Sequence, residues 1–315
     1  MLFRSSSLSP TWQQRDAVVS AFAAGHADST HAISSRHCRS PPVGFDHPSI
    51  STADGGEETR LVKISIITAT WNSAATVIDT MLSINAQTHA DVEHLIIDGG
   101  SRDDTLSFVR THGQRVAAIV SEPDHGIYDA MNKGLKLATG DVIGLLNSDD
   151  FLASPDVLST VAAAFSDPSV DAVYGDLCYV RQHEPGQIVR YWRSGAFRTG
   201  AFARGWSPPH PTLYVRRSVY DRFGRFDISY SLAADVDLMI RFFEVERLRS
   251  KHIAKVFVRM RLGGATNKSV ANVVNQNREI WRSLREHGLV ASVPGFLIGK
   301  FASRAAQFIV RPASP

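Results

Sequence analysis

From Lys63 onward, short apolar runs alternate with longer segments of helical periodicity, and this alternation constrains the fold more than any other feature. Four runs rich in β-branched residues have the composition of buried strands: KISIITAT, VEHLIID, VAAIVSE and DVIGLL. The segments between them space their apolar residues as helices do: SAATVIDTMLSINAQ, DDTLSFVRTHG and IYDAMNKGLKLATG. Strands that alternate with helices over short connections predict an α/β fold, with a mostly parallel central sheet flanked by helices.

The chain divides into segments of different composition. Residues 1–60 are rich in Ser, His, Ala and Pro and lack an apolar period, which predicts a disordered extension with one short helix over 12–25. Residues 61–180 carry the strand–helix alternation, and 181–265 contain short strands around one helix in an irregular order. We expect these two segments to form the two halves of one domain, followed by a helical tail over 266–315.

Charge and cysteine content exclude several classes of protein. The 34 Lys and Arg against 31 Asp and Glu give a formal net charge of +3, without the concentrated basic patch of a nucleic-acid-binding protein. Cys38 and Cys178 lie far apart, so we expect neither a disulfide framework nor a zinc cluster, and a reducing, cytoplasmic location. Because no run of about 18 apolar residues occurs, we expect no transmembrane helix.

Polar or aromatic side chains follow each of the four predicted strands. ATWN follows the first, DGGSRDDT the second, SEPDHGIYDAMNKG the third and NSDD the fourth. Since the carboxyl ends of parallel strands share one edge of a sheet, these segments should face one crevice. Carboxylates at such a rim favour Mg²⁺ or Mn²⁺, and Trp71 could stack on a nucleobase, so the expected ligand is a nucleoside diphosphate bound through a metal ion. Asp103 and Asp104 are equally suited to cap the helix that follows them.

The same segments resemble the motifs of family 2 glycosyltransferases, which have the GT-A fold. The resemblance rests on ISIITATWNSAATVIDTMLSINAQT, IIDGGSRDDT, SEPDHGIYDAMNKGLKLATGDVIGLLNSDD, SPPHPTLYVRRSVYDRFGRFD and AADVDLMIRF. It spans about residues 63–264 and is greatest to bacterial members that build exopolysaccharides. It implies inverting transfer of a sugar from a nucleotide-diphosphate sugar, with a UDP-sugar favoured, to a saccharide or lipid-linked acceptor.

The resemblance also assigns the donor site. Trp71 stands where this family often has Tyr, which implies base stacking, with Thr70 beside it. Asp98 matches the acidic residue that accepts hydrogen bonds from a uracil-type base. Asn132 and Lys133 match a segment near the nucleotide.

Metal and catalytic residues follow from the same resemblance. NSDD matches the metal-binding DxD motif, with Asp149 as its principal carboxylate and Asp150 as a helper. The first Asp of that motif is here Asn147, which leaves fewer charges for the metal ion. Asp235 matches the general base at the start of a later helix, and Asp237 competes for that role from a different helix face.

Acceptor contacts are expected from two places. His210 in SPPHPT matches a His of close relatives and is expected to line the acceptor site. The tail FLIGKFASRAAQFIVR (296–311) predicts an amphipathic helix, with Leu297, Ile298, Phe301, Ala305, Phe308 and Ile309 on one side and Lys300, Arg304 and Arg311 on an adjoining face. Such a helix can lie in a membrane interface, which predicts peripheral contact of 290–311 with the inner face of the plasma membrane, unless the helix packs on the catalytic domain.

Three other functions can be weighed against sugar transfer. A sugar-1-phosphate nucleotidyltransferase would have a Gly-rich phosphate loop after its first strand, where this chain reads TATWNSAAT. A dinucleotide-dependent dehydrogenase is disfavoured likewise, because no G-x-G-x-x-G opens the first helix. A non-catalytic nucleotide-sugar-binding protein is supported only by Asn147 and is opposed by Asp149 and Asp235.

Overall fold

The computed structural model of the protein describes residues 61–263, 269–289 and 292–309. The extension expected over 1–60 lies outside the described residues, as does Arg311 of the tail. The described strands are β1 (Ile64–Thr70), β2 (Val92–Asp98), β3 (Val116–Ser121), β4 (Val142–Leu145), β5 (Phe151–Leu152), β6 (Ala172–Val180), β7 (Ile188–Trp192), β8 (Tyr214–Arg216) and β9 (Ser250–Arg261). The α-helices are α1 (Val77–Asn85), α2 (Thr105–His112), α3 (Ile127–Leu137), α4 (Val157–Phe165), α5 (Arg217–Phe223), α6 (Ala234–Ile240), α7 (Val270–Glu286) and α8 (Val293–Ile309).

The nine strands of the described chain form one mixed sheet in the order β3-β2-β1-β4-β8-β6-β9-β5, with β7 on β6. The first four strands of this order are parallel, as the alternation predicts. Beyond β4 the sheet is mixed, because β8 runs antiparallel to both β4 and β6 while β6 and β9 are parallel. The expected α/β class is therefore confirmed, and the irregular second half of the sequence supplies the antiparallel strands.

Two layers of side chains cover the sheet. Along β1, Ile64 and Ile66 belong to one buried cluster, whereas Ile67 and Ala69 belong to a second cluster on the other face. This alternation explains why β1 is apolar throughout, since helices cover both of its faces. Gly134 lets α3 approach the sheet, because a Cβ at this position would lie 2.4 Å from the Ile67 side chain.

A clamp from α7 holds the start of α6. The Glu279 carboxylate accepts hydrogen bonds from the backbone N–H groups of Ser231, Leu232 and Ala233 at 3.0, 2.8 and 2.9 Å. These N–H groups precede the first turn of α6, where no side chain of the N-cap residue, Ala233, accepts a hydrogen bond. Glu279 therefore holds the backbone that leads into α6 from a distant part of the chain.

Replacing Glu279 with Ala should lower the free energy of unfolding by about 2 kcal/mol, because three backbone donors lose their acceptor. Urea denaturation would measure the change. Arg278→Ala is the matched control, since Arg278 is the exposed neighbour on the same helix. Equal stability of the two variants would show that the clamp does not hold α6.

Candidate active site

The edge of the sheet where β1 and β4 end opens into a cavity of about 790 Å³. Several of the predicted site residues line this cavity: Thr70, Trp71, Asp149, His210 and Asp235. The structure therefore brings residues that are far apart in the sequence to one place. Its lining does not include the other predicted residues: Asp98, Asn132, Lys133 and Asp150.

Trp71 presents a large aromatic surface to the cavity, with 68% of the residue exposed. Gly99, at the end of β2, makes room for a carboxylate beside this ring. A Cβ at Gly99 would lie 2.5 Å from Asp124 Oδ2 and 3.5 Å from Trp71 Cδ1. Asp124 also lines the cavity, so an aromatic face and an acceptor group lie side by side at this wall.

Asp98 lies behind the wall and is fully buried. Its carboxylate accepts hydrogen bonds from the N–H groups of Gly100 and Ser101 and from the hydroxyls of Thr70, Ser101 and Ser121. Although burial disfavours the charge, these hydrogen bonds outweigh it and hold the pKa of Asp98 below its usual value. Asp98 thus joins the ends of three strands as an ionised acceptor.

The loop after β4 turns its two carboxylates in different directions. Asp149 lines the cavity, whereas Asp150 is fully buried beneath the loop. Asp150 accepts a hydrogen bond from Asn147 Nδ2 at 3.1 Å and another from the Arg261 N–H at 3.3 Å. Burial and the neighbouring Asp149 raise the pKa of Asp150 well above its usual value. In this arrangement Asp150 supports the loop and does not reach the cavity.

Arg261 fixes the loop from below. Its Nη1 donates to the Asp149 carbonyl oxygen at 2.7 Å, and its Nη2 pairs with Asp79. Within the described ranges, no three His, Cys, Asp or Glu side chains converge as a metal cluster. Of the two carboxylates of this loop, Asp149 is the one that lines the cavity.

Asp235, in the first turn of α6, faces the cavity from the opposite half of the domain. Tyr128 Oη donates to Asp235 Oδ1 at 3.0 Å, and burial together with this carboxylate raises the pKa of Tyr128 well above its usual value. The rings of Tyr128 and Phe226 stack at 5.5 Å, and His210 meets Phe226 edge-on at 5.8 Å. Phe226 therefore packs against both His210 and Tyr128, the residue that donates a hydrogen bond to Asp235.

His210 carries a buried nitrogen, Nε2, that has no hydrogen-bond partner among the described residues. Burial lowers the pKa of His210, although Asp235 acts in the opposite direction, so the imidazole is neutral near pH 7. A neutral imidazole next to the cavity can donate to or accept from a ligand hydroxyl.

Asp237 is held away from the cavity. It accepts hydrogen bonds from Ser283 Oγ at 2.7 Å and His287 Nε2 at 3.0 Å on and after α7. Burial disfavours its charge, but these two partners hold the pKa of Asp237 below its usual value. Of the two competing carboxylates, only Asp235 belongs to the described cavity lining.

Asn132 and Lys133 contact the protein itself. The Asn132 amide exchanges two hydrogen bonds with the backbone of Phe226, at 2.9 and 3.0 Å. Lys133 Nζ lies 2.9 Å from Glu122 and 2.9 Å from the Pro123 carbonyl oxygen, outside the lining. Asn132 thereby fixes the aromatic residue that supports the site, and Lys133 fastens the segment after β3.

The tail helix α8 supplies side chains that sequence reasoning did not assign to the site. Lys300, Ser303, Arg304 and Gln307 line the cavity, and Arg190 of β7 joins them. The sequence does show Lys300 and Arg304 on one helical face, but only tertiary packing shows that this face lines the cavity.

No helix among the described residues has the length and apolar composition needed to cross a membrane.

Sequence comparison identifies the family. The family model described as "Glycosyl transferase family 2" matches residues 65–223. A PGL/p-HBAD biosynthesis glycosyltransferase of Mycobacterium tuberculosis is 34% identical over 213 residues, which cover 65% of this chain and 80% of that protein. Chondroitin synthase of Escherichia coli is 27% identical over 230 residues, 72% of this chain but 33% of the larger protein.

Solved structures agree on the fold. TarS residues 1–349 of S. aureus, crystallised with UDP, align with a TM-score of 0.55 at 18% identity, over 78% of this chain and 70% of that chain. Mannosyl-3-phosphoglycerate synthase of Rubrobacter xylanophilus aligns with a TM-score of 0.51 at 18% identity, over 74% of this chain and 77% of that chain. The architecture described above is that of the GT-A glycosyltransferases. The chain belongs to glycosyltransferase family 2 and is a glycosyltransferase.

Proposed function

We propose that this enzyme transfers a sugar from a nucleotide-diphosphate sugar to a saccharide or lipid-linked acceptor, with inversion, in the synthesis of an extracellular polysaccharide. The observation that carries the proposal is that Trp71, Asp149 and Asp235 line one cavity from three different elements. An aromatic surface, an acidic group at a loop and a second carboxylate facing them are the groups that this reaction requires. The similarity to a PGL/p-HBAD biosynthesis glycosyltransferase and to a chondroitin synthase also supports a role in glycan synthesis.

The donor site lies at the carboxyl ends of β1 to β4. Trp71 stacks on the base, Thr70 and Asp124 lie beside it, and a UDP-sugar is the favoured donor because TarS binds UDP and UDP-GlcNAc on the same fold. Asp98 contributes by holding the strand ends on which these residues stand.

Asp149 is the residue that would hold a divalent cation, Mg²⁺ or Mn²⁺, together with the donor's phosphates. When bound, the ion neutralises the charge that develops on the departing diphosphate. The protein's own part is to keep Asp149 in the cavity, which it does through Arg261 on the Asp149 carbonyl and the buried Asp150. Asn147 donates to Asp150, so its amide serves the loop better here than a third carboxylate would.

Asp235 is the general base in this proposal. As the acceptor oxygen forms its bond to the anomeric carbon, the bond from that carbon to the donor's diphosphate breaks, and the hydroxyl proton passes to Asp235. The Tyr128 hydroxyl holds one carboxylate oxygen of Asp235 and so orients the group. Attack opposite the leaving group inverts the anomeric centre.

The outer face of α8 provides the proposed membrane contact. Leu297, Ile298, Phe301 and Phe308 are 49%, 68%, 77% and 59% exposed on a helix whose polar side lines the cavity. Arg304 is exposed at the cavity beside them, which suits an anionic lipid surface. We place this face on the inner leaflet of the plasma membrane, where a lipid-linked acceptor would lie next to the cavity.

Asp149→Ala should abolish metal-dependent stabilisation by UDP and lower sugar transfer roughly hundredfold or more, because the cation loses its protein ligand. Thermal shift with and without Mn²⁺ and release of UDP from a UDP-sugar measure the two effects. Asp221→Ala, at a surface pair on α5, should change neither. Metal-dependent activity that survives in Asp149→Ala would refute the assignment.

Asp235→Asn should keep donor affinity and lower the transfer rate by roughly 10²- to 10⁴-fold, since the base is removed and the shape is kept. Calorimetry with UDP and a transfer assay separate the two. Asp237→Asn is the contrasting variant: it should lower stability, because Asp237 joins α6 to α7, and keep the rate per folded molecule. Full activity of Asp235→Asn would rule out the base role.

A double variant in which both Ile298 and Phe301 are replaced by Gln should bind phosphatidylglycerol vesicles with an affinity lower by roughly tenfold or more, because two large apolar side chains no longer enter the interface. Co-sedimentation with the vesicles measures this affinity. Ile228→Gln is the control, since this exposed isoleucine lies far from α8 in the sequence. Unchanged vesicle binding of the double variant would dismiss the membrane contact.

A further inference from the structure

The helix α8 is turned with its polar face inward. Lys300, Ser303, Arg304 and Gln307, which recur at helical spacing, line the cavity. Most of the large apolar side chains of the helix are exposed, whereas Phe296 is buried in the core. A helix that packs on a domain normally does the opposite and buries its apolar stripe. The inward polar face therefore indicates that this side of the cavity receives a polar ligand.

Three cations from two elements meet on this side. Arg190 of β7 lies over the ring of Tyr179, with Cζ 3.7 Å from the ring centroid, and 5.7 Å from that of Phe308 on α8. Lys300 Nζ donates to Asn277 Oδ1 at 2.6 Å, and Arg304 follows one turn later on the same helix. The Arg190 side chain thus lies between Tyr179 of the neighbouring strand β6 and Phe308 of α8, the helix that carries the other two cations.

These cations lack acidic partners within the described part of the chain. Neither Arg190 nor Lys300 nor Arg304 takes part in an ion pair between described residues. Arg190 Nε is buried and has no hydrogen-bond partner among those residues. Burial and the neighbouring Arg304 lower the pKa of Lys300 to about 8. The carboxylate of Asp235 acts on Lys300 in the opposite direction but forms no ion pair with it. Like charges gathered at one side of a cavity are stabilised when an anion binds.

We propose that Arg190, Lys300 and Arg304 form a binding site for a phosphate group of the acceptor, so that the enzyme takes phosphate-bearing acceptors. This inference rests on the proposed function, whose acceptor it specifies. Phosphate is the anion that fits best, because it offers several acceptor oxygens and up to two charges to guanidinium and ammonium donors that approach from different directions.

The position of the cations favours the acceptor over the donor. The helix α8 packs against the 3₁₀ turn Phe202–Arg204 and β7, which belong to the second half of the domain. The Lys300 backbone lies so close to Gly205 that a Cβ there would come within 2.7 Å of the Lys300 nitrogen. Gly205 begins the loop that leads to His210, and Lys300 lies close enough to Asp235 to feel its charge. The cations thus lie beside the half of the domain that carries the proposed base on α6, whereas the donor loops follow β1 and β4.

The test uses the full chain saturated with UDP and Mg²⁺, to which phenyl phosphate is then added as a model phosphate monoester. The unmodified protein should show a further rise in melting temperature that grows with the logarithm of the phenyl phosphate concentration above its dissociation constant. Arg190→Gln and Arg304→Gln should each raise the dissociation constant for phenyl phosphate roughly tenfold and leave that for UDP unchanged. Arg304→Lys should recover part of the loss, and Lys136→Gln, an exposed lysine on α3, should behave as the unmodified protein.

The outcomes separate the alternatives. Equal stabilisation by benzoate or by the uncharged phenyl β-glucoside would contradict a phosphate site. A loss of UDP affinity in the arginine variants would place the cations on the donor's diphosphate and overturn the acceptor assignment. Normal UDP binding without any response to phenyl phosphate would refute this site alone, whereas a protein that binds no nucleoside diphosphate would refute the proposed function and the acceptor assignment with it.

Discussion

The burial of one carboxylate determines the geometry of the site. Asp150 is fully buried at the end of a strand, where an unpaired charge would be costly, so the chain surrounds it with donors from Asn147 and Arg261. Because Arg261 ends the long strand β9 and comes from more than a hundred residues away, the loop after β4 is tied to the second half of the domain. The same arginine holds the Asp149 carbonyl, and Asp149 lines the cavity as a consequence.

A second set of contacts fixes the wall of the cavity that carries His210 and Asp235. Asn132 fixes the backbone of Phe226, and Phe226 supports both Tyr128 and His210. Glu279 on α7 holds the backbone that leads into α6, directly before Asp235. The wall with Trp71 and Asp149 is therefore built from strand ends, and the wall with Asp235 is built from helix–helix contacts. Sugar transfer needs both, because attack succeeds only when acceptor, anomeric carbon and leaving group are aligned.

Much of this was predictable from the sequence, because periodicity reports burial and the ends of parallel strands share an edge. The alternation from Lys63 to Leu145 predicts the parallel half of the sheet, and the positions of Trp71 and Asp149 follow from it. What the sequence does not show is which way a polar side chain turns once its strand has ended. Asp98 and Asp150 turn into the protein and act on its loops, although their neighbours face the cavity. The inward cations of α8 depend on packing between segments about a hundred residues apart, which no local pattern encodes.

We infer that one cavity binds a nucleotide sugar through a cation held at Asp149. The most direct measurement is a thermal-shift comparison of UDP-, GDP- and TDP-sugars with and without Mn²⁺, because a ligand that binds only the native state raises the melting temperature by an amount that grows with its affinity and concentration. We expect one class of donor, a UDP-sugar, to stabilise the protein and to do so only when the cation is present. Stabilisation of equal size without a divalent cation, or none by any nucleotide sugar, would contradict it.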